Sequence, residues 1–294
     1  MTQRLQFLLA VAVLASCGVC ASVSGETNPP HTSSLYALER PGSAPTVLFI
    51  HGFGQSTVYW QEWVGLLGDC GIHAVAVDLP GFGQSAHVAG PYTIEGLADA
   101  VAQFVQDRRL GGVTLVGNSM GSTVAQFVTL RYPRLVRRLL LTSAAANPPP
   151  RIALSPELAA ERNSGPAGDS KAMVDGFFAT NAPPPAKAAE FYEAGRQMNI
   201  DAAMEAGESN LNWTTLERLR EIKVPVLIIQ GRHDSSNSPE QGELMVSRMP
   251  HAQTVVLENS AHTPQWDEPV EFKRAALPFL LADRKSSGSC KLGE

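Results

Sequence analysis

The chain has 294 residues, of which 44 % are hydrophobic and 17 % are charged, so it is long and apolar enough to bury a large core. Its formal net charge is −5 and it has no dense block of Lys or Arg, which argues against nucleic acid as a partner. Its four cysteines lack the paired C-x-x-C spacing of a metal site, and we predict neither a metal nor a cofactor.

The N-terminal segment MTQRLQFLLAVAVLASCGVCASVSG has one Arg, an apolar stretch over residues 5–15 and then small residues. The stretch is too short to span a bilayer and is typical of a secretory signal peptide. Two processing routes stay open, namely cleavage near VCA at 19–21 and lipidation of Cys17, since LASC at 14–17 is similar to a bacterial lipobox. We therefore predict that residues 1–25 are a leader outside the fold. The chain is expected to be secreted, periplasmic or attached to a membrane through lipidated Cys17.

Short apolar runs alternate with helical segments along most of the remaining chain. The runs are rich in Val, Ile and Leu and are bounded by Gly, Pro or Asp, as is typical of buried parallel strands. They lie at 46–50, 72–77, 113–117, 138–142, 224–229 and 254–257. Helices are predicted at 58–69, 93–108, 120–131, 239–248 and 268–282. This alternation predicts an α/β fold with a mostly parallel central sheet and helices on both faces. Cys70, at the end of the first predicted helix, is expected to be a small buried hydrophobic residue.

One long segment breaks the alternation. Residues 147–222 contain no clear strand and carry two proline runs, NPPPR and APPPA. We predict a core of residues 34–146 and 223–283 and a mostly helical cap of residues 147–222, which is called the insertion below.

The insertion is expected to govern substrate choice, because it lies between two strands of the core and is rich in large apolar side chains. The predicted substrate-binding residues are Phe177, Phe178 and Trp213, which can form an apolar pocket above the core. The last residues, 284–294, are polar and are predicted to be a disordered tail.

The carboxyl ends of the parallel strands form one edge of the sheet, and ligands of open α/β sheets bind at that edge. There the segment VTLVGNSMGSTVAQF predicts a strand, a G-x-S-x-G turn and a helix, with Ser119 at the centre. Such a turn exposes the serine hydroxyl, and Gly117 and Gly121 let the strand and the helix approach closely. Ser119 is therefore the predicted nucleophile.

A serine nucleophile needs a base, and the base needs an acid that orients it. After Ser119 the same edge offers Asp234 in GRHDSSN and then His262 in NSAHTPQWDEP. The chain order Ser, Asp, His is the order expected for this kind of turn. Asp234 and His262 are therefore the predicted acid and base.

Three further residues compete for these roles. His233 is the alternative base, although adjacent residues such as His233 and Asp234 cannot easily both face the serine. Asp267 and Glu258 are the alternative acids. We expect Asp267, together with Glu268, to begin the last helix instead, where carboxylates stabilise the helix dipole, and Glu258 to be solvated at a strand end.

The motifs HGFG, DLPGFGQS, GNSMGS, GRHD and AHTPQWDEP occur in this order and at spacings that resemble the α/β-hydrolase superfamily. The resemblance covers residues 34–283 apart from the insertion, and it implies the α/β-hydrolase fold and a Ser-Asp-His triad. It departs from the usual pattern at Ala261, where a glycine usually precedes the histidine, and at Ser122.

The resemblance also assigns the two copies of GFGQS, at 52–56 and 81–85. It implies that the backbone N–H groups of Phe53 and Met120 form an oxyanion hole. The second copy resembles a structural loop beside the site. The first copy does not complete a phosphate-binding motif, because the third glycine of G-x-G-x-x-G and the lysine of a P-loop are missing.

These residues predict a carboxylesterase or lipase that works through an acyl-enzyme. No cluster of Arg or Lys resembles a clamp for a charged group, so the expected partner is a small uncharged hydrophobic ester. C–C bond hydrolysis, thioester hydrolysis and cofactor-free perhydrolysis use the same triad and stay open. A ligand-binding protein with a hydrolase fold and no activity is the alternative from another class. Neither the exact substrate nor the oligomeric state follows from the sequence.

Overall fold

A seven-stranded sheet forms the centre of the described structure. The computed structural model describes residues 35–148 and 185–283. The strands are β1 (Ala37–Arg40), β2 (Ser43–Ile50), β3 (Ile72–Val77), β4 (Val113–Asn118), β5 (Val136–Thr142), β6 (Val226–Gly231) and β7 (Ala252–Leu257). Their order in the sheet is β1-β3-β2-β4-β5-β6-β7. β1 pairs antiparallel with β3, and the other neighbours pair in parallel, which confirms the predicted mostly parallel sheet.

Helices connect the strands and pack on the sheet. The α-helices among the described residues are α1 (Gln61–Asp69), α2 (Ile94–Asp107), α3 (Met120–Arg131), α4 (Pro185–Arg196), α5 (Ile200–Ser209), α6 (Pro239–Arg248), α7 (Pro264–Asp267) and α8 (Pro269–Leu280). α4 and α5 belong to the insertion. None of the helices described here is long and apolar enough to cross a membrane.

The sheet separates two hydrophobic cores, because successive side chains of a strand point to opposite faces. Leu48 of β2 packs in one core with residues of α2, α3 and α6. The next residue, Phe49, packs in the other core with residues of α1 and α8. There Trp63 of α1 meets Phe272 of α8 edge to face, with 5.1 Å between ring centroids. Helices therefore cover both faces, as predicted.

Two elements differ from the predictions. β1 was not predicted, because its sequence ALER is short and ends in two charged residues at the edge of the sheet. The helix predicted at 268–282 is instead preceded by a separate short helix, since α7 and α8 each begin at a proline, Pro264 and Pro269. Glu268 between them has a non-helical backbone, with φ −130° and ψ 67°.

Cys70 is buried at the end of α1, and it is also disulfide-bonded. The prediction of a simple buried hydrophobic residue is therefore wrong in its chemistry. The other cysteines of the chain, Cys17, Cys20 and Cys290, all lie outside the described residues. The predicted leader, the predicted tail, Phe177 and Phe178 lie outside them as well.

Candidate active site

Ser119 lies in a sharp turn between β4 and α3, with φ 51° and ψ −120°. A positive φ is uncommon for a residue with a Cβ and persists where the surrounding structure enforces it. The flanking glycines permit the turn: a Cβ on Gly117 would overlap the backbone of Gly121. A Cβ on Gly121 would in turn overlap the carbonyl oxygens of Ile50 and His51. The helix can therefore begin against the end of β2 only because these positions lack side chains.

Ser119, His262 and Asp234 form a continuous hydrogen-bonded series. Ser119 Oγ lies 2.8 Å from His262 Nε2, and His262 Nδ1 lies 2.9 Å from Asp234 Oδ2. The three residues come from the loops that follow β4, β7 and β6 at the carboxyl edge of the sheet. When Nδ1–H donates to the carboxylate, Nε2 can accept the proton of the serine hydroxyl.

The side chain of Asp234 is completely buried and is held as a carboxylate. Its Oδ1 accepts the backbone N–H groups of Ser236 and Asn237, each at 2.9 Å. Burial acts to raise the pKa of Asp234, but His262 and these two N–H groups outweigh burial and hold the pKa below its ordinary value. A negative charge therefore faces the histidine ring.

Side chains from neighbouring loops fix the backbone at His262. The His262 carbonyl oxygen accepts hydrogen bonds from Ser143 Oγ at 2.9 Å and from Asn118 Nδ2 at 3.3 Å. The N–H of Ala261 donates to Asp267 Oδ2 at 2.8 Å. We expected Asp267 to begin the last helix, and this is wrong. Asp267 ends α7, and its buried carboxylate receives the N–H of the residue before His262, because the chain folds back after the histidine.

His233 and Glu258, the competing base and acid, lie outside the hydrogen-bonded series. His233 is exposed, and its backbone N–H donates to the carbonyl oxygen of Ser260 at 2.8 Å. Glu258 is exposed and forms an ion pair with Arg232 at 2.7 Å. Glu268, which we expected to begin the last helix, directly precedes α8 and also accepts a hydrogen bond from Ser260 Oγ at 2.7 Å. It therefore holds the loop that leads to His262.

The two predicted oxyanion donors lie in the turn after β2 and at the start of α3. Met120 is the first residue of α3, so its N–H is among the N–H groups without a partner inside the helix. Phe53 lies in the turn after β2, next to Gly52, and a Cβ on Gly52 would lie 3.2 Å from Asn118 Oδ1. Within the described residues, no hydrogen bond between backbone groups uses the N–H of Phe53 or Met120. Their part in an oxyanion hole stays a prediction.

His51 connects the turn of Phe53 to the turn after β3. Its Nδ1 lies 2.7 Å from the carbonyl oxygen of Gly52, and its Nε2 accepts the N–H of Leu79 at 3.0 Å. Burial lowers the pKa of His51, against the opposite effects of Asp78 and of the Gly52 carbonyl. A neutral ring with its proton on Nδ1 satisfies both contacts.

Trp213 is buried in the same core as β4 and β5, and its indole N–H donates to the carbonyl oxygen of Asn210 at 2.9 Å. Its contact with a substrate stays a prediction. Nearby, the N–H of Thr215 donates to the carbonyl oxygen of Ala146 at 2.9 Å, which attaches the end of the insertion to the loop after β5. In the described parts of the chain, no group of three or more His, Cys, Asp and Glu residues could hold a metal ion.

Known proteins are similar to this chain in fold and in sequence. The model of the alpha/beta hydrolase fold family matches residues 45–269. The chain is 31 % identical over 251 residues to a pimeloyl-[acyl-carrier protein] methyl ester esterase of Aeromonas hydrophila, over 80 % of this chain and 95 % of that protein. It is 27 % identical over 286 residues to a monoacylglycerol lipase of Rattus norvegicus, over 86 % of this chain and 80 % of that protein.

A solved structure, that of a bacterial membrane phospholipase A, is similar with a TM-score of 0.70 and 28 % identity, over 85 % of this chain and 83 % of that one. The relatives taken together are esterases, lipases, C–C bond hydrolases and enol-lactonases. The family model spans more than half of the chain, and the sheet has the strand arrangement of this fold. The chain therefore belongs to the alpha/beta hydrolase family and is a hydrolytic enzyme.

Proposed function

We propose that this enzyme cleaves an uncharged carboxylic ester through an acyl-enzyme, with Ser119 as nucleophile, His262 as general base and Asp234 as the orienting acid. One observation carries the proposal. The two nitrogens of His262 lie 2.8 Å from Ser119 Oγ and 2.9 Å from a buried carboxylate oxygen of Asp234. A serine hydroxyl is a weak nucleophile until a base that is oriented in this way can take its proton.

In the acylation step, Ser119 Oγ attacks the ester carbonyl carbon while its proton moves to His262 Nε2. Asp234 stabilises the imidazolium that forms, because its charge faces Nδ1–H and its side chain is completely buried. The carbonyl oxygen becomes an oxyanion, which the N–H groups of Phe53 and Met120 bind. When the tetrahedral intermediate collapses, His262 gives its proton to the departing alcohol oxygen, and the acyl group remains on Ser119.

Deacylation repeats these steps with water in place of the serine hydroxyl. Nε2 of His262 takes a proton from the water, whose oxygen attacks the acyl carbon, and the second tetrahedral intermediate returns the proton to Ser119 Oγ. The start of α3 adds a favourable field, since a helix N-terminus carries partial positive charge where the oxyanion develops. Each oxyanion donor of this kind stabilises the transition state by about 2.7–4 kcal/mol.

An uncharged hydrophobic ester is the proposed substrate. The methyl ester esterase, the monoacylglycerol lipase and the phospholipase A are all named as ester hydrolases. Buried apolar residues lie at the same edge of the sheet: Met120 directly follows the serine, and Ala144 and Ala145 are in the loop after β5. Phe177, Phe178 and Trp213 of the insertion are proposed to contact the acyl group.

The leader motivates a proposal on location. We propose that residues 1–25 direct export, with the mature enzyme either released or attached to a membrane through a lipid on Cys17. The disulfide at Cys70 supports export, because disulfides persist in oxidising compartments. The mass of the mature N-terminus distinguishes the two routes, and an intact leader on the mature enzyme would contradict both.

The activity is tested on purified enzyme lacking residues 1–25, with a series of p-nitrophenyl esters from acetate to palmitate. We expect turnover that depends on acyl length and falls by about 10⁶-fold in Ser119→Ala, because the triad acts as a unit. An acyl thioester, a vinylogous 1,5-diketone and acetate with hydrogen peroxide test the other reactions of the same triad. Preference for one of these over every ester, or more than a few per cent of activity in Ser119→Ala, would contradict the proposal.

A further inference from the structure

Ser143 shares an uncommon backbone conformation with Ser119. Among the described residues, the non-glycine residues with positive φ are Arg109, Ser119 and Ser143, and φ of Ser143 is 47°. Arg109 lies in an exposed turn, whereas each serine directly follows the last residue of a strand. Asn118 of β4 pairs with Thr142 of β5 in the sheet. Ser119 and Ser143 therefore stand side by side at the carboxyl edge.

Every polar group of Ser143 bonds to a different part of the site. Its N–H donates to the carbonyl oxygen of Ile229 in β6 at 3.1 Å. Its Oγ donates to the carbonyl oxygen of His262 at 2.9 Å, and its own carbonyl oxygen accepts Asn237 Nδ2 at 2.6 Å. The residue is completely buried, so water does not compete for these bonds. A single residue thus joins β6, the loop of His262 and the loop of Asp234.

The bond from Asn237 leads on to the carboxylate. The backbone N–H of Asn237 donates to Asp234 Oδ1, and Asp234 Oδ2 faces His262 Nδ1, each at 2.9 Å. A closed ring of contacts therefore connects His262, Asp234, Asn237 and Ser143. If the contacts at Ser143 were lost, either loop could move and lengthen the distance between His262 Nδ1 and Asp234 Oδ2.

We propose that Ser143 is a positioning residue that holds the loop of His262 and the loop of Asp234 at the spacing needed for proton transfer from Ser119. The inference rests on the proposed function, since it takes His262 as the base. The left-handed backbone at this position favours glycine, so a serine here needs a reason. The bond between its hydroxyl and the backbone of His262 supplies that reason.

Ser143 acts through His262 and Asp234 and not through the substrate, because none of its atoms is exposed. Loss of its hydroxyl should therefore lower kcat and leave KM nearly unchanged. The free energy of one neutral hydrogen bond, if lost from the transition state, lowers kcat by a factor of about three to ten.

Two substitutions separate this role from a contribution to folding. Ser143→Ala removes the hydroxyl and keeps the strained φ, whereas Ser143→Gly removes the hydroxyl and relieves the strain. Ser85→Ala is the matched control, since Ser85 is also completely buried and its Oγ accepts a backbone N–H, that of Tyr36 at 2.9 Å. Each variant is measured for kcat and KM on the best p-nitrophenyl ester, per active site titrated with a fluorophosphonate, and for Tm.

We expect kcat to fall about three- to tenfold in both Ser143 variants, with KM within about twofold of the wild-type value. Ser143→Gly should have a Tm at or above that of Ser143→Ala, while Ser85→Ala should lower Tm without lowering kcat. If Ser143→Ala does not fold, Ser143→Gly decides the question.

A kcat of Ser143→Gly within twofold of the wild-type value would overturn the positioning role. A change in KM alone in the Ser143 variants would overturn it too, as would an equal fall of kcat in Ser85→Ala. Failure of the proposed function looks different, because Ser119→Ala would then remain active. An inactive Ser119→Ala together with fully active Ser143 variants would remove the positioning role alone.

Discussion

The pentapeptide GFGQS occurs twice, in the turn after β2 (52–56) and in the turn after β3 (81–85), with different partners in the two places. In the first copy, Gly52 and Gln55 bond to each other: Gly52 N–H donates to Gln55 Oε1 at 3.2 Å, and Gln55 N–H donates to the Gly52 carbonyl oxygen at 3.3 Å. This closed turn lies against the turn of Ser119.

The second copy bonds to other elements. Its Gly81 carbonyl oxygen accepts the N–H of Asn199, the N-cap residue of α5 in the insertion, at 2.8 Å. Its Ser85 Oγ accepts the N–H of Tyr36, just before β1, at 2.9 Å. The first copy therefore presents backbone to the candidate site, and the second attaches the insertion and the N-terminal strand to the core.

A buried carboxylate connects the two copies. Asp78 Oδ1 accepts the N–H of Thr57 at 2.5 Å, directly after the first copy, and Asp78 Oδ2 accepts the N–H of Gln84 in the second at 2.7 Å. The same five residues thus form two tight turns, and their surroundings decide what each turn does. Glycine-rich local sequence predicts the turn, but not its role.

Gly52→Ala tests the first copy and should have the largest effect, lowering kcat about 10- to 100-fold with little change in Tm. A Cβ there would lie 3.2 Å from Asn118 Oδ1 and 3.3 Å from Gln55 Oε1, so the turn that carries the N–H of Phe53 must shift. Complete removal of an oxyanion donor lowers kcat by about 10²–10³, and a displaced donor loses part of that. Steady-state kinetics and thermal unfolding measure both quantities. Unchanged kcat in a folded variant would remove Phe53 from the oxyanion hole.

Gly83→Ala tests the second copy and should affect stability more than chemistry. Gly83 has φ 48°, and a Cβ there would overlap the carboxylate of Asp78. The left-handed backbone alone costs an alanine about 1–2 kcal/mol, which corresponds to a loss of about 2–8 °C in Tm, and the overlap adds to it.

Gly71→Ala is the matched control for this loss, because Gly71 has φ 74° and a Cβ there would meet nothing within 4 Å. We expect Gly83→Ala to lower Tm by more than Gly71→Ala, while kcat per titrated site stays within about threefold of the wild-type value. Equal losses of Tm would show that the contact with Asp78 is not important.

His51→Gln should have the smallest effect, visible in the pH dependence of stability. Burial lowers the pKa of His51 from its ordinary value of 6.5, so the unfolded chain binds this proton more readily than the folded protein does. The stability from neutral His51 is therefore complete above pH 6.5 and is lost as the pH falls toward the lower folded pKa, by at most about 1.4 kcal/mol per pH unit. Thermal unfolding at pH 7.5, 6.5 and 5.5 should show a shallower decline in the variant. Parallel declines would mean that His51 does not carry this dependence.

Much of the fold could be predicted, because the six predicted strands are short apolar runs bounded by turn residues, and each overlaps an observed strand. β1 could not, since it has only four residues, two of them charged, and it pairs only with β3 at the edge. The separation of α7 from α8 was missed for another reason. From the sequence, Pro264 and Pro269 can begin two helices or lie within one kinked helix. The non-helical backbone of Glu268 separates the two helices, and the Glu268 carboxylate is bonded to the loop before His262.

The roles of Ser119, Asp234 and His262 could be predicted from their chain order, because each residue lies in the turn or loop after a predictable strand. The residues that hold the three side chains in place could not be predicted. Ser143 bonds to the backbone of a residue 119 positions away, and Asn118 to the same residue 144 positions away. A bond to a backbone carbonyl leaves no pattern of residue types in the sequence. The disulfide of Cys70 is invisible for a similar reason, because cysteine spacing does not specify pairing.

Reaction with a fluorophosphonate tests the activation of Ser119 by His262 most directly. Intact-protein mass and peptide mapping should show one phosphonyl group per chain, on Ser119. Ser119→Ala should not react, His262→Ala should react far more slowly than wild type, and His233→Ala should react at the wild-type rate. An adduct on another residue, labelling of Ser119→Ala, or loss of labelling in His233→Ala but not in His262→Ala would contradict the assignment.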